Sequence, residues 1–434
     1  MLPEAIVQLC NAIAHYHILS TTMDRNRTIL PLLEEYFRRY SVTIITGPRL
    51  VGKRMIARAA FAKKGCSYYS FDDPELRLKA LQDPKGFLTG CRGNVVLSEV
   101  QRVPELVAHI SSFVNANIDN RLVLLSSQRL ENRELIPADL DWQVGFVTLM
   151  PFGVEEIPYI REGNQSLSES CWYGGYPRML FPSRSYLNTQ FSQYLQNYIE
   201  QDVRQLKSIV DTSQFLFFMK ECALRVGQLL NLTAIAKECG IAVNTAKAWL
   251  QVLETGYMVY RLPPYKEGFG HRVVKAPKLY FCDTGLLCFL LGIKSPGDVS
   301  GHALYAMIAE NFMMNDLMRL FHHRAEPVTS VYFWRDHRGF EVDCLIEHAG
   351  KLRGIDFQSC TTESEIDFSK IERWIKERKS KPLENFIVYG GKAIKQGHET
   401  WVFSWEDVLS ATNGLLVRDL GKIYHQDKKP KKKV

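Results

Sequence analysis

Residues 46–54 read Thr-Gly-Pro-Arg-Leu-Val-Gly-Lys-Arg, and this stretch constrains the chain more than any other. An apolar, β-branched run, Val42–Thr46, precedes it, and a helical pattern follows. Four residues separate Gly47 from Gly52, and Lys53 comes next. A strand, a loop bounded by glycines and a helix opening on lysine make a phosphate-binding loop. Backbone N–H groups and the helix N-terminus cradle phosphate oxygens, and the lysine reaches the β- and γ-phosphates. The candidate nucleotide-binding residues are Gly47, Pro48, Arg49, Gly52, Lys53 and Arg54. The surroundings fit. Strand candidates Val42–Thr46, Ser67–Phe71, Asn94–Leu97 and Arg121–Ser126 alternate with helical stretches, the rhythm of a parallel sheet covered by helices.

The motif is incomplete in one respect. The residue after the lysine is normally Ser or Thr, whose hydroxyl binds Mg²⁺; here it is Arg54. The strand that should end in two acids ends in Ser98 and Glu99. The first acid would hold the metal through water, and the second would polarise the attacking water. Glu99 is thus the candidate catalytic base, while both groups expected to hold one ion are replaced. Arg54 puts a fixed positive charge where the metal would sit. It does so against the helix dipole, a cost that a bound phosphate offsets.

At 434 residues the chain suggests about three domains. Hydrophobic residues make up 46% and charged residues 23%, which excludes a mostly disordered chain. Net charge is +7, but Lys428, Lys429, Lys431, Lys432 and Lys433 supply five of those charges. The body is nearly neutral, so composition alone does not argue for nucleic-acid binding. The ten cysteines form no C-x-x-C pair, which argues against a zinc ribbon and suits a reducing cytosol. No apolar run is long enough to span a membrane, and the N-terminus lacks the basic region of a signal peptide.

The expected organisation is an N-terminal extension (1–23), a P-loop domain (24–160), a helical region (161–300), a smaller α/β unit (301–415) and a segment ending in the basic tail (416–434). Within the helical region, residues 232–254 read as two helices joined at Gly240, the shape of a helix-turn-helix. A short strand follows that could form one side of a wing. The second helix would present Asn244, Thr245, Lys247, Trp249 and Gln251, of which Asn244, Thr245 and Lys247 are the DNA-binding candidates. Only one of these is basic. Glu200 and Arg204 read as an i,i+4 ion pair, and His322-His323 as a solvated helix end.

With these motifs in order, the chain resembles the AAA+ ATPases of bacteria and archaea that join an ATPase core, a winged helix and a nuclease-like C-terminal domain (domain of unknown function 4143). The resemblance runs over roughly residues 24–410. It rests on "ITGPRLVGK", "FDDPELRLKALQDPKGFL", "LSEVQRVPEL", "GGYPRML", "YIEQDVRQL", "GQLLNLTAIAKECGIAVNTAKAWLQVLE", "KLYFCDTGLLCFLLGI" and "FWRDHRGFEVDCLIE". It implies an α/β fold with a parallel-sheet P-loop domain, a winged-helix middle and a restriction-endonuclease-like end. It also implies ATP as ligand, with Mg²⁺ in question given Arg54 and Ser98. Where the family usually carries an arginine that would sense phosphate, this chain has Gln143; Ser126 and Ser127 keep the polar sensor position. In the nuclease-like domain the resemblance implies Glu310, Asp343 and Asp356 as the acids, with Asp343 and Asp356 holding metal. Gln358 stands where a lysine would help orient water.

The reading is therefore an ATP-binding, AAA-like protein with weakened or lost hydrolysis. One alternative is an active ATPase whose metal is held by other acids, Asp72 and Asp73 being candidates. The other is a DNA-binding or scaffold protein that retains only the fold. Nucleotide is the expected partner, DNA an open one, and a membrane is not expected. AAA-type cores often assemble as rings, but nothing in the sequence names the arginine that would complete a neighbour's site.

Overall fold

The computed structural model describes residues 27–407, except 117–118, 131–142, 158–164, 181–183, 204–208, 210, 267–272, 326–329, 349–350, 378–382, 393–394 and 397–399. The expected N-terminal extension and the lysine tail lie outside the described residues.

Strands β1 (Val42–Thr46), β2 (Ser67–Ser70), β3 (Val95–Ser98), β4 (Leu122–Leu125) and β5 (Val144–Thr148) form one sheet in the order β2-β3-β4-β1-β5. Every neighbouring pair is parallel. β1, β3 and β4 are buried along their whole length, as strands covered on both faces must be. Alternation decides which side chain goes where. Val42 and Ile44 face one core with Leu97, Leu122 and Leu124, while Ile45 faces another with Val96, Val123 and Val147. Helices α1 (Leu30–Arg39) and α2 (Lys53–Phe61) close the second face through Leu33, Phe37, Ile56 and Phe61. Four of these strands fall where the sequence places them; β5 is a fifth edge strand beyond the β4 candidate.

The helical region contributes α3 (Leu232–Glu238) and α4 (Val243–Thr255). Gly240 adopts φ +64° between them, and Ile241 N–H reaches back to Ala236 O at 3.0 Å. That left-handed turn and back-bond end α3 and aim α4. Trp249, expected on the exposed face of α4, is instead core: its ring packs edge-on against Phe215 and Phe218. Strands β6 (Val259–Leu262) and β7 (Lys278–Phe281) follow as an antiparallel pair.

Strands β8 (Val331–Arg335), β9 (Glu341–His348), β10 (Lys351–Gln358), β11 (Leu383–Tyr389), β12 (Lys395–Gln396) and β13 (Thr400–Ser404) form a mixed sheet in the order β12-β13-β11-β10-β9-β8. Helix α5 (Tyr305–His323) covers one face and α6 (Ser369–Glu377) the other. α5 is buried along most of its length because one continuous core runs from the helical region, through α5, to Phe386 and Phe403.

Candidate functional site

The loop after β1 has the backbone that its glycines allow. Gly47 sits at φ +145°, and a Cβ there would lie 2.2 Å from Leu149 O, so no larger residue fits. Gly52 (φ +97°) turns the chain into α2. The first N–H groups of any helix lack intrahelical partners, and here the 3.0-Å-class ladder begins with Ile56 N–H to Gly52 O at 2.9 Å. The loop and first turn therefore fit an anionic phosphate group. Lys53 is buried, and its Nζ donates to Gly47 O at 2.9 Å and Pro48 O at 2.7 Å. Burial lowers its ammonium to about 8, with Arg49 and Arg54 adding to the effect and Glu99 opposing it.

Arg54 reaches across to the ends of β2 and β3. Its Nε donates to Ser98 Oγ at 2.7 Å, and its Nη2 donates to Ser70 Oγ at 2.7 Å and pairs with Asp72. Glu99 Oε1 lies 4.0 Å away. The two residues that depart from the P-loop pattern thus touch each other, and a guanidinium stands between the first helical turn and the end of β3. This arrangement does not fit a magnesium ion: the hydroxyl and carboxylate that would bind it are replaced, and a fixed cation lies between their positions.

Glu99 is nearly buried at φ +60°, a conformation that costs a non-glycine residue roughly 1–3 kcal/mol and recurs at functional sites. Gln101 Nε2 donates to its Oε2 at 2.7 Å, and Ser127 Oγ donates to the same oxygen at 3.2 Å. The structure thus brings Gly47, Pro48, Arg49, Gly52, Lys53, Arg54, Ser98, Glu99 and Ser127 to one end of the sheet.

One expectation is corrected, at Asp73. Gln143 stands where the resemblance implies an arginine and carries no charge. Ser41 Oγ donates to its Oε1 at 3.0 Å, before β1 and β5 begin, and Thr46 pairs with Thr148 at the far end. At about 3.3 Å per residue, those ends are roughly 13 Å apart. Asp73 is no metal ligand, because its carboxylate caps the helix Pro74–Gln82 by accepting from the N–H groups of Glu75 and Leu76. Asp72 is held between Arg54 and Arg102.

The sequence did not reveal what holds Arg49. Its guanidinium is bidentate on Asp202, with Nη2 2.9 Å from Oδ1, and also donates to Gln201 at 2.8 Å. Both partners lie on a π-helical turn, Ile199–Val203. Arg204 is outside the described residues. Its expected partner Glu200 accepts from Gln196 at 3.1 Å. The acid that matters in this segment is Asp202. A wide turn of helix aimed at the loop is its only marker, and that is not visible in the residue types.

A second cluster lies in the C-terminal sheet. Glu310 (α5), Glu341 and Asp343 (β9) bring carboxylate oxygens within 4.8 Å of one another, the arrangement of a metal site. The protein's own cations occupy it. Lys278 of β7 donates to Glu310 at 2.6 Å and Glu341 at 2.7 Å, and Tyr280 donates to Glu310. Lys370 of α6 lies 3.0 Å from Asp356 and 3.7 Å from Asp343. Burial raises Glu310 to about 7 and pushes Asp356 well up, whereas Lys370 and Lys278 overcome burial at Asp343 and hold it down. Asp343 and Asp356, expected to act together, lie side by side: their carboxyl groups hydrogen-bond to each other and share Lys370, while Asp343 also groups with Glu310 and Glu341, and Gln358 Nε2 donates to Asp356 at 2.7 Å. Gln358 also exchanges hydrogen bonds with the backbone of Asp367, so it clips β10 to the loop before α6. A lysine does stand at the acids, but it comes from a helix rather than from position 358. With two ammonium groups already inserted, the cluster as folded does not fit a divalent cation.

On α4, Asn244 and Lys247 are exposed and Thr245 is half-buried.

Residues 39–158 match the family model described as an AAA domain. This part of the chain is an AAA-like domain. Residues 164–297 match a domain of unknown function (DUF8612), and residues 305–408 match another (DUF4143). Two uncharacterized mycobacterial proteins, Mb2031c of Mycobacterium bovis and Rv2008c of Mycobacterium tuberculosis, are each 25% identical over 350 residues, 80% of this chain and 76% of theirs. Among solved structures, the Walker-type ATPase of Pyrococcus abyssi is 13% identical, with a TM-score of 0.42 over 62% of this chain and 94% of that one. The Holliday junction branch migration motor RuvB of Thermotoga maritima is 17% identical, with a TM-score of 0.29 over 54% and 87%. Among the described residues no helix is long and apolar enough to cross a membrane.

Proposed function

We propose that the chain binds ATP at Gly47–Lys53 without needing magnesium, and hydrolyses it slowly or not at all. The observation that carries this reading is the Arg54–Ser98 hydrogen bond, with Asp72 on the same guanidinium. Arg54 supplies positive charge from the protein, so the loop can hold a polyphosphate without an ion. In the AAA domain bound nucleotide would draw Lys53 from the loop carbonyls to phosphate oxygens. Glu99, held by Ser127 and Gln101, keeps the position of a base for water. What is lost is the metal that would neutralise developing charge on the transferred group. An active ATPase using Asp72 or Asp73 is disfavoured because one acid is paired to arginines and the other caps a helix.

The finer reading of the rest goes with this one. The α3–α4 pair with β6 and β7 is a winged-helix unit, and the C-terminal sheet is a nuclease-like scaffold whose acids are neutralised by lysines. A DNA-binding role would fall to Asn244, Thr245 and Lys247, where one cation is a thin electrostatic footprint. The described cysteines are all free thiols, which suits a protein of the cytosol.

Calorimetry with ATP, in magnesium and in EDTA, tests the nucleotide reading. Comparable affinity in both, lost in Lys53→Ala, is the expected result. Binding that requires magnesium, or steady phosphate release that Glu99→Gln abolishes, overturns it.

A further inference from the structure

The phosphate loop carries an arginine of its own, and another part of the chain holds it. Lys53 Nζ rests on the carbonyl of Pro48, and Arg49 is the next residue. The Arg49 guanidinium reaches the helical region, where it is bidentate on Asp202, with Nη2 2.9 Å from Oδ1, while Nη1 donates to Gln201 Oε1 at 2.8 Å. Arg102 donates to the same Gln201 oxygen at 3.2 Å. Both partners belong to the π-helical turn Ile199–Val203, which prolongs the helix Arg184–Tyr198. The wider turn re-aims the side chains it carries, and such turns recur at functional sites. Ile199 and Val203 are sunk in the core that holds Trp249, Leu250 and Leu253 of α4, so the turn that carries Asp202 is anchored. A guanidinium pairs bidentately with a carboxylate or with a phosphate through the same planar fork. Asp202 and a nucleotide phosphate are therefore alternative partners for Arg49. Burial raises the Asp202 carboxyl above its ordinary range, against the pull of Arg49. A buried carboxylate stripped of its partner is costly, so drawing Arg49 away subtracts from what a bound phosphate gains.

We propose that Asp202 is a latch on the phosphate loop: a positioning residue that competes with nucleotide phosphate for Arg49 and so sets the affinity for ATP. It acts through Arg49 and does not itself touch the nucleotide. The latch rests on ATP binding at the phosphate loop, as proposed above.

Calorimetry with ATP on the full chain tests it in wild type, Asp202→Asn, Arg49→Gln and the double variant. Asparagine keeps the shape of Asp202 and removes its charge. Asp202→Asn should tighten ATP about tenfold, and the same substitution should change affinity by less than about twofold once Arg49 is glutamine. Asp202→Glu, which keeps the charge, should stay closer to wild type than Asp202→Asn. A purely structural role gives the opposite sign: ATP binding weakens, with or without Arg49. Gln201 is exposed, so Gln201→Ala keeps the fold; it should tighten ATP roughly two- to threefold and takes the place of Asp202→Asn if that variant does not fold. ATP bound no more tightly by these variants than by wild type, or a gain that survives in Arg49→Gln, overturns the latch while ATP binding stands. Absence of ATP binding in all of these proteins overturns the nucleotide reading, and the latch with it.

Discussion

Arg54 and Ser98 are best understood as one exchange. A threonine hydroxyl and an aspartate would leave room for a divalent ion between them; an arginine and a serine close the same space with a hydrogen bond of 2.7 Å. Restoring one partner alone should not restore the ion. Ser98→Asp should ion-pair with Arg54, and Arg54→Thr should leave no carboxylate for the metal. The double variant Arg54→Thr/Ser98→Asp should bind ATP in a magnesium-dependent way and raise phosphate release at least tenfold over wild type, whereas either single variant should stay near the wild-type rate. A colorimetric phosphate assay with and without magnesium checks this, and a double variant with no magnesium response would show that the two positions are not the ion's seat. The loop residues were legible because their spacing and flanking elements carry the mechanism. Asp202 was not, because it lies 153 positions along the chain from Arg49 and its own neighbourhood reads as an ordinary charged helix face.

Elements were easier to read than the faces they present. The parallel strands stand out because buried strands carry unbroken apolar runs. α4 shows the difficulty. Its polar and aromatic residues alternate on a helical period, and Trp249 could be assigned to either side until Phe215 and Phe218 are seen against it. That packing predicts a contrast. Trp249→Ala should cost about 3–5 kcal/mol, as removing a large buried aromatic does. Lys247→Ala, two residues earlier on the exposed face, should stay within about 0.5 kcal/mol. Urea denaturation of the two variants measures both, and equal losses would mean that α4 is not packed as described. The same unit also reaches the AAA-like domain. Tyr257, at φ +57° just past α4, donates its hydroxyl to Thr46 Oγ1 at 2.6 Å, so the second helix is tied to the strand that carries the phosphate loop.

Across the whole molecule, the ties between parts are buried and ionic, and these were least legible of all. Arg319 of α5 is buried against Asp316, Glu155 and Glu156, and Gly153 is kept small because a Cβ there would meet its guanidinium at 1.8 Å. Glu156 in turn accepts from Thr28 N–H at 2.8 Å and lies 3.5 Å from Arg27, just before α1. His323, read from sequence as a solvated helix end, is buried in this network. Its Nε2 accepts from Met150 N–H at 3.3 Å, and its Nδ1 lies 2.9 Å from Thr28 Oγ1. Partners more than a hundred residues apart leave no periodic trace, and a His-His pair at a helix end looks the same whether wet or dry. Burial lowers His323 well below the ordinary imidazole range, and Arg319 and Arg27 lower it further. The folded state therefore holds the ring neutral while the unfolded chain takes up a proton near pH 6.5, so its contribution is present above that pH and falls as acid is added. The slope is about 1.4 kcal/mol per pH unit. Asp283, raised to about 6 by burial, and Glu310, raised to about 7, tilt the opposite way over part of that range, so the total stability of the wild type conceals the effect. The difference between wild type and His323→Gln removes the shared terms. That difference should shrink by about 1.2 kcal/mol between pH 6 and pH 5 and stay constant between pH 7.5 and pH 8.5. Urea midpoints at those four values decide it, and a difference that does not change with pH would place His323 in water rather than between the two halves of the molecule.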